Sequence, residues 1–592
     1  MAIAAFAESG KSPVMPGPLV RAPQGARIDF DIRNELPVPL TFFVPAVMHG
    51  GPSGRRSFDS VVVAPATTGR LTTLAGSSGN YVYRAATPSR VRPAPMMSGA
   101  LAGAIVIDSA AATSQSRDRV FVLMATMDSV LAAESQRHVV NLNAPGVGRI
   151  IFTINGRSWP STERIAATVG DSVHWRILNA SADEHPMHLH GFYYRVDQFS
   201  DPLLDPRRDG MERAGLARDA PGRMVVTQLL PPLATMSMTW SPVHPGNWIF
   251  HCHFALHLMP DSISAAPDDP HLRGMVGLVL GINVGGVGGG LAAGGPAPAR
   301  RLRLLAISDR PPGNSDPSTV PSMRFVLEDH GRRVDAGPGF SPTIDLTRGE
   351  RVSIMVVNQL DEPTSVHWHG IEVEDAYVDG VPGVSGAGRR LAPAIAPGDS
   401  FEARFTPPRS GTFMYHSHVD EVWQQTAGLE GALVVRDPGL MPSTDEHLFF
   451  IKGARHAIGA HRTTTSATDI IEISGAANPD TIVLHVGRPA RLRFLSLATA
   501  NPEPRLLLTA RPDSAFELPN DTMIVQWRPI SKDGFDLPAS ERTLRPAGQT
   551  ISIGETYDFE YLPERPGFLR LEVRINPQFG GGLLARIPIR VQ

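Results

Sequence analysis

Cys252 is the only cysteine in a chain of 592 residues. Histidines flank it on both sides, as His251 and His253, and His257 follows five residues later. A lone thiol has no internal partner for a disulfide, so its role must be core packing, nucleophilic attack or metal binding. Because imidazoles crowd around this thiol, metal binding is the first hypothesis.

Four short runs concentrate the histidines of the chain. They hold ten of its 20 histidines: His185-X-X-His188-X-His190, His251-Cys-His253-X3-His257, His367-X-His369 and His416-X-His418. Residues two apart on a strand point to the same face, so each His-X-His pair offers two imidazoles to one site. Ordinary core histidines do not follow such a pattern, and the spacing therefore predicts metal ligands.

The strand around Cys252 is predicted to serve two sites at once. Cys252 must face away from His251 and His253, since alternate residues of a strand point to opposite faces. Two histidines and a cysteine with a distant thioether form the ligand set of blue-copper electron-transfer sites, and His185 and His257 are the natural imidazoles to join Cys252. The other eight histidines suit an all-imidazole, multinuclear copper centre.

The elements that position these residues are predicted to be short strands. Glycine (56) and proline (54) are frequent and favour turns. Alternating stretches such as Arg27–Arg33 and Arg351–Val357 are typical of strands, and no long stretch has a helical period. The sequence therefore predicts an all-β chain built on a sandwich plan.

Composition narrows the partners and the location. The formal net charge of -3 gives no reason to expect a nucleic acid or an anionic membrane as partner. The uncharged stretch 274–295 is mostly glycine and alanine after Val284, which predicts a strand and a linker and no membrane span. Residues 1–10 lack the basic region and long apolar core of a clear signal peptide.

Internal repeats predict four units. Residues 25–36 align with 349–360, and Gly79–Tyr83 aligns with Gly411–Tyr415, which relates the first unit to the third. The predicted boundaries are 1–112 (unit one), 113–284 (unit two), a Gly/Ala/Pro-rich linker at 285–299, 300–440 (unit three) and 441–592 (unit four). The histidine runs fall only in units two and three, so their common centre should lie between these units.

The outer units lack the histidines at the corresponding places. Unit one has Phe43-Val-Pro45 and Arg84-Ala-Ala86 where unit three has its two His-X-His pairs. Unit four has Glu572-Val-Arg574 where unit two has His251-Cys-His253. Units one and four are therefore predicted to be scaffolds without copper ligands at those positions.

The four runs resemble the copper signatures of the multicopper oxidases, the laccases and their relatives. They read His367-Trp-His-Gly370, Tyr415-His-Ser-His418, His185-Pro-Met-His-Leu-His-Gly191 and His251-Cys-His-Phe-Ala-Leu-His257. The segment Gly428–Val435 also resembles the stretch that follows the second signature. The resemblance implies four cupredoxin-like Greek-key β-sandwich domains in tandem.

The resemblance also implies a role for each ligand and four copper ions per chain. The implied sets are His185, Cys252, His257 and Met275 for type 1 copper; His188 and His367 for type 2 copper; and His190, His251, His253, His369, His416 and His418 for the type 3 pair. Electrons from a small reducing substrate (a phenol, an aromatic amine or a metal ion) would pass through Cys252, and the cluster would reduce dioxygen to water. Asp379 resembles the acid that assists proton delivery, although Asp-Gly is also a common turn pair.

Two features depart from the family pattern. The Cys-bearing unit precedes the His-Trp-His unit, which resembles a fused duplication of a two-domain oxidase with complementary loss of ligands. The usual axial position, ten residues after the cysteine, holds Ser262, a poor ligand. Residues 260–273 resemble an insertion, beyond which Met275 is expected to be the axial ligand, with Met259 as the rival.

Several alternatives remain open at the level of sequence. Two other functions fit the sequence: a metallo-oxidase for cuprous, ferrous or manganous ions, and a copper-binding or structural protein with incidental oxidase activity. Asp183 and Glu184 either contact the substrate or are ordinary loop acids. The family resemblance implies a periplasmic or secreted location, and an oligomer is left open.

Overall fold

The structure is a computed structural model that describes residues 4–50, 58–88, 101–109, 118–127, 150–202, 222–258, 275–286, 297–309, 322–337, 340–453, 471–474, 480–498, 504–510, 523–575 and 582–592. Strands are the main regular structure of these residues, and the only α-helix among them is α1 (Glu421–Ala427). No helix among them is long and apolar enough to span a membrane. The prediction of an all-β chain is confirmed.

Unit one pairs a five-stranded sheet with a two-stranded one. The sheets have the orders β1-β7-β6-β3-β4 and β2-β5. The strands are β1 (Gly17–Pro23), β2 (Arg27–Arg33), β3 (Leu40–Pro45), β4 (Phe58–Val63), β5 (Thr68–Leu74), β6 (Gly79–Ala86) and β7 (Ala102–Asp108), with a 3-10 turn at Ala46–His49.

Unit two contains the sheets β14-β13-β16-β11-β8-β9 and β10-β18-β17-β12-β15. Its strands are β8 (Asp118–Met127), β9 (Ile150–Ile154), β10 (Arg164–Thr168), β11 (Val173–Asn179), β12 (His185–Leu189), β13 (Tyr194–Ser200), β14 (Arg223–Val225), β15 (Thr227–Leu230), β16 (Thr235–Trp240), β17 (Gly246–Cys252) and β18 (Val279–Gly285), with a 3-10 turn at Ala255–Leu258.

Unit three contains the sheets β21-β20-β19-β23-β26 and β22-β28-β27. Its strands are β19 (Arg300–Ser308), β20 (Met323–Asp329), β21 (Arg332–Val334), β22 (Ile344–Thr347), β23 (Val352–Asn358), β24 (Gly386–Ala387), β25 (Arg390–Leu391), β26 (Ser400–Phe405), β27 (Gly411–His416) and β28 (Glu430–Arg436), with a 3-10 turn at Ala376–Val378. The short strand β24 joins the sheet of unit two, where Gly386 pairs with Asn247 of β17.

Unit four contains the sheets β30-β29-β32-β38-β34-β35 and β31-β40-β39-β33-β37, with β36 paired to β34. Its strands are β29 (Glu446–Gly453), β30 (Ile471–Ile473), β31 (Ile482–Leu484), β32 (Ala490–Leu497), β33 (Pro504–Thr509), β34 (Gln526–Lys532), β35 (Phe535–Asp536), β36 (Arg545–Pro546), β37 (Gly548–Thr550), β38 (Glu555–Tyr561), β39 (Gly567–Ile575) and β40 (Leu583–Val591).

The same parallel pairing recurs in all four units. It joins β1 to β7, β10 to β18, β22 to β28 and β31 to β40. A parallel pair cannot be joined by a hairpin, so the intervening strands must cross between the two sheets of the sandwich. The four sandwiches are therefore copies of one plan, as the cupredoxin-like prediction requires.

An asparagine at the end of one strand ties down the following corner in three units. The side-chain oxygen of Asn34 accepts from the backbone N–H of Leu36, and Asn358 does the same with Leu360. The sequence repeat contains both residues. Asn179 of unit two makes the same bond to Ser181, whereas in unit four the Ser496 hydroxyl accepts from Ala498.

The apolar core is continuous across units two and three. One cluster of buried side chains includes Phe250 and Cys252 of unit two together with Trp368 and Tyr415 of unit three. Units one and four also hold clusters of their own, although Leu495, Leu497 and Ile553 of unit four join the shared cluster. A shared, close-packed core keeps the junction of units two and three rigid, and the histidine runs lie at this junction.

Candidate metal centre

The thiol of Cys252 lies within one group with two imidazoles. Its Sγ is 3.6 Å from Nδ1 of His185 and 3.4 Å from Nδ1 of His257, and the two Nδ1 atoms are 3.1 Å apart. All three side chains are buried. The Ser181 hydroxyl lies 2.7 Å from Nε2 of His185 and so holds the outer edge of that ring.

Strand pairing explains why these three residues meet. Cys252 ends β17 and pairs with Met187 of β12, the strand that begins at His185. His257 lies on the 3-10 turn that follows Cys252. Burial lowers the pKa of His257 to about 3 and raises the pKa of the Cys252 thiol. The imidazoles are therefore neutral, and a cation that displaces the thiol proton would complete the site.

Met275 is buried next to this group. It packs in an apolar cluster with Ile249 and Leu258, and the backbone N–H of the following Val276 donates to the carbonyl of Leu258. Its role as axial ligand stays a prediction. Its rival Met259, and Ser262 at the usual axial position, lie outside the described residues.

The other eight histidines converge on the opposite face of β17. Their ring nitrogens form three groups, two of which share His190, and within each group the ligand atoms lie within 4.8 Å of one another: His188, His190 and His367; His190, His251 and His418; and His253, His369 and His416. The close pairs include Nε2 of His190 with Nε2 of His251 at 3.0 Å, and Nε2 of His188 with Nε2 of His367 at 3.4 Å. The structure thus brings together every histidine that the four runs single out.

Two equivalent strand pairings place these rings. In unit two His188 lies opposite His251, and in unit three His367 lies opposite His416. Each unit contributes four histidines, and the two sets face one another across the junction. As the alternation of strand residues predicts, His251 and His253 turn toward this cluster while Cys252 turns away from it.

Hydrogen-bond acceptors fix most of the rings in one orientation. Backbone carbonyls lie within 3.0 Å of Nδ1 in His188, His251, His367 and His416. A carbonyl accepts only, so these Nδ1 atoms carry the proton and Nε2 presents its lone pair to the cluster. His369 is the exception: its Nε2 lies 2.9 Å from the carbonyl of Gly554, and its Nδ1 faces Nε2 of His253 at 3.2 Å.

The donor set fits metal ions. Burial, as the leading cause, lowers the pKa of most of these histidines, that of His416 to about 3. Among the described residues, Nε2 of His416 and Nε2 of His418 have no hydrogen-bond partner. Buried polar atoms normally find partners. The six histidines whose pKa is lowered therefore offer uncharged nitrogens with converging lone pairs, the arrangement that imidazole-ligated copper requires.

Asp379 lies behind two of the histidines. Its carboxylate accepts from Nδ1 of His190 at 2.9 Å and from the Ser385 hydroxyl at 2.9 Å, and its other oxygen is 3.4 Å from Nδ1 of His367. The side chain is only 2% exposed. Its contacts therefore orient two rings, and a role in proton delivery stays a prediction.

Sequence reasoning missed several side chains that support the rings. Glu421 Oε1 lies 2.8 Å from Nδ1 of His418, and the Gln425 amide donates at 3.2 Å to the Ser417 carbonyl that also accepts from Nδ1 of His416. Both are on α1, directly after the His-Ser-His run, so the spacing of three residues from His418 to Glu421 was an available signal. Thr227 lies 3.1 Å from Nδ1 of His188 and belongs to a strand without any motif.

The outer units fill the equivalent places with other residues. In unit one Phe43 lies opposite Arg84, whose guanidinium packs over the Phe43 ring at 5.4 Å. In unit four Leu507 lies opposite Glu572, and Glu572 pairs with Arg574 at 2.5 Å. Neither arrangement offers imidazoles or a thiol.

Comparison with known proteins agrees with this distribution. Residues 127–270 and residues 336–439 each match a family model described as multicopper oxidase. Each matched segment contains one unit's share of the histidine runs.

Individual relatives match over short segments. The chain is 38% identical over 112 residues to a copper resistance protein A homolog of Pseudomonas syringae pv. tomato, covering 19% of this chain and 18% of that protein. It is 36% identical over 99 residues to laccase-1 of Cryptococcus neoformans, covering 16% of this chain and 15% of that protein. The matched segments thus span less than a fifth of the length of these two relatives.

Among solved structures, the blue copper oxidase of Nitrosomonas europaea is 19% identical, with a TM-score of 0.36, and covers 49% of this chain and 85% of that one.

Fold and site together define a copper-binding cupredoxin assembly with a thiol face and an all-histidine face. Two segments of the chain, residues 127–270 and 336–439, are multicopper oxidase domains.

Proposed function

We propose that this protein is a copper-dependent oxidase that couples one-electron oxidation of a small, laccase-type reducing substrate to the four-electron reduction of dioxygen. The observation that supports it most is the geometry of β17. This strand and the residue directly after it carry the Cys252 thiol in one buried group and His251 and His253 in two others. A protein that only stores or carries copper has no need to connect a thiolate site to an all-imidazole cluster through adjacent residues.

The proposed ligands follow the two faces of β17. His185, Cys252 and His257, with Met275 as axial ligand, form the type 1 site. His188 and His367 form the type 2 site. The type 3 pair takes His190, His251 and His418 on one side and His253, His369 and His416 on the other, in agreement with two of the three-residue groups. Copper bound in these sites supplies one-electron redox chemistry and binds dioxygen.

The chain itself contributes position, connection and proton handling. The peptide bonds on either side of Cys252 join the thiol to His251 and His253, so electrons have a covalent path of a few bonds. The carboxylates of Asp379 and Glu421 lie 2.9 Å and 2.8 Å from ring nitrogens of His190 and His418. They hold those rings and are placed to pass protons, of which dioxygen reduction to water consumes four.

The reducing substrate meets the protein near the thiol face. Asp183 and Glu184 directly precede His185 and are partly buried. A carboxylate there can hold a phenol hydroxyl or an amine, and equally a cuprous or ferrous ion. We favour a phenol-like substrate, with oxidation of a metal ion as the alternative. A periplasmic or secreted location stays a prediction.

Copper analysis and oxygen uptake test the proposal. The fully loaded protein should contain about four copper ions per chain, show a thiolate-to-copper visible band, and consume oxygen with a phenol or with ferrous or cuprous ion. Fewer than about two ions per chain, or no visible band, would overturn it. The ratio of kcat/KM for a phenol to that for the metal ions separates the two substrate classes.

A further inference from the structure

We propose that unit four, which lacks copper ligands of its own at the equivalent positions, positions the type 3 ligands through a single turn centred on Gly554. This inference rests on the proposed copper cluster. Gly554 precedes β38 and is buried, and its carbonyl accepts the Nε2–H of His369 at 2.9 Å. Gly554 acts through His369 and is therefore a positioning residue.

The carbonyl decides which nitrogen of His369 faces the cluster. Because a carbonyl cannot donate, Nε2 of His369 must carry the proton, and Nδ1 is left with the lone pair. Nδ1 is the atom that lies 3.2 Å from Nε2 of His253. Rings whose Nδ1 is held by a carbonyl present Nε2 instead, so the ring of His369 has the opposite orientation, and the residue that sets it comes from another unit.

The equivalent turn in the other units shows why this position holds glycine. In all four units the turn residue has a positive φ: Ala66 at 57°, Leu233 at 64°, Gly398 at 81° and Gly554 at 80°. In each unit its N–H donates to the backbone carbonyl of the corner residue, namely Asn34, Asn179, Asn358 or Ser496. Since units one and two carry alanine and leucine here, the backbone conformation alone does not require glycine.

Gly554 differs from the equivalent Gly398 because the ring of His253 lies against it. A Cβ added to Gly554 would lie 2.8 Å from Cγ and Cδ2 of the His253 ring, closer than real side-chain contacts allow. A Cβ added to Gly398 would meet nothing within 4 Å. Glycine is therefore required in unit four because the imidazole of His253 occupies the space of a side chain.

Unit four holds this turn firmly in place. Glu555 accepts from Lys532 Nζ at 2.6 Å and from the backbone N–H of Ser552 at 2.9 Å. Asp533, which directly follows Lys532 in the chain, accepts from the backbone N–H groups of Val226 and Thr227 of unit two at 3.1 Å each. The turn is thus anchored both within unit four and against unit two, beside the histidines.

The experiment compares G554A with G398A. Gly398 and Gly554 lie in equivalent turns of units three and four and have nearly the same positive φ, so the two substitutions cause similar backbone strain. Only the new methyl group of G554A would clash with the ring of His253. For G554A we expect the affinity for the paired coppers to fall about 10- to 100-fold and the copper content of a partly loaded sample to fall toward two ions per chain. The visible band of Cys252 should persist, and G398A should match the wild type.

A second pair of variants, E555Q and E541Q, tests the same inference if G554A does not fold. E555Q removes the charge that binds Lys532 and so loosens the turn without adding atoms. The control is E541Q, which removes the charge that pairs with Arg223 elsewhere at the junction of units two and four. E555Q should lower the occupancy of the paired coppers, and E541Q should not.

The outcomes separate this inference from the proposed function. If the wild type binds about four coppers and both G554A and E555Q bind them equally tightly, the positioning role is overturned. Equal copper loss in G398A or E541Q overturns it as well, because the effect would then be general strain. A wild-type protein that binds no copper would instead overturn the proposed function.

Discussion

The contact between units one and two is repeated in the contact between units three and four. Arg176 donates to the Asn80 side chain at 2.7 Å, and Arg493 donates to the Thr412 hydroxyl at 2.8 Å. Arg176 lies opposite Ser237 in its sheet as Arg493 lies opposite Asp558. The hydroxyl of Thr235 donates to the carbonyl of Asn80 at 2.9 Å, as that of Thr556 does to the carbonyl of Thr412 at 2.8 Å.

This repetition shows that the packing within each half does not depend on which of its units carries the clustered histidines. Both halves keep the same polar contacts between their two sandwiches. Units two and three, however, supply histidines to one shared junction, while the equivalent faces of units one and four hold Arg84 and Glu572. The two halves therefore share the contact that holds a pair together and differ in the surface that carries the histidines.

The largest expected difference between the halves concerns Cys252 and its equivalent in unit four, Val573. C252A should abolish the visible band and lower oxygen uptake more than about 100-fold, because it removes the thiolate that joins the two faces. V573A should cost about 2 kcal/mol in the free energy of unfolding, since it opens a cavity in a buried core, and leave the copper content unchanged. Copper loss in V573A would contradict the comparison.

A second comparison sets His416 against Arg84 of unit one. H416A should reduce the copper content of the cluster and lower oxygen uptake by about 100-fold or more, because it removes one nitrogen from the group with His253 and His369. R84A should leave both quantities at the wild-type level. Copper analysis and oxygen uptake measured on the same samples decide the matter, and a copper deficit in R84A would show that unit one takes part in metal binding.

The matched arginines at the two junctions should differ in their contribution to stability. R493M removes a buried guanidinium that donates to Asp558, Glu446 and Thr412, although Asp558 keeps Arg491, so we expect a loss of about 2–4 kcal/mol. Arg176 is 20% exposed and its partners Asp108 and Asp118 retain Arg21, so R176M should cost about 1–3 kcal/mol. Denaturant unfolding of the two variants measures both values. A larger loss in R176M would be inconsistent with this ranking.

The smallest effects on stability should come from the strand-end corners at Asn34, Asn358 and Ser496. N34A and N358A each remove a side chain that makes three local hydrogen bonds and should cost about 1–3 kcal/mol. S496A in unit four removes a hydroxyl that accepts from Ala498 and should cost about 1 kcal/mol. Thermal unfolding checks the order, and equal losses in all three would refute the idea that the corner is weaker in unit four.

The sequence was sufficient to predict which histidines converge, because strand alternation is local. His251, Cys252 and His253 are adjacent, so their division between two faces follows from the period of a strand. The repeat between residues 25–36 and 349–360 likewise predicted equivalent strands, which the structure places at Arg27–Arg33 and Val352–Asn358.

Contacts between distant units could not be predicted in the same way. Gly554 and His369 are 185 residues apart, and nothing in the sequence near Gly554 marks it as different from any turn glycine. Its importance depends on where the ring of His253 lies after the units have packed. The same holds for Asp533, which is bound by backbone groups of unit two that have no sequence signature.

The carbonyl groups that hold the histidine rings have a thermodynamic consequence. Most of the entropy of ordering these imidazoles is already lost in the folded chain, because the carbonyls of residues 226, 252, 379, 417 and 554 fix the rings. Copper would therefore bind to imidazoles that the folded chain already holds in place. At a free concentration 1,000 times its Kd, one bound ion stabilises the fold by about 4 kcal/mol. The melting temperature of this protein should therefore rise with the free copper concentration and can serve as a gauge of it.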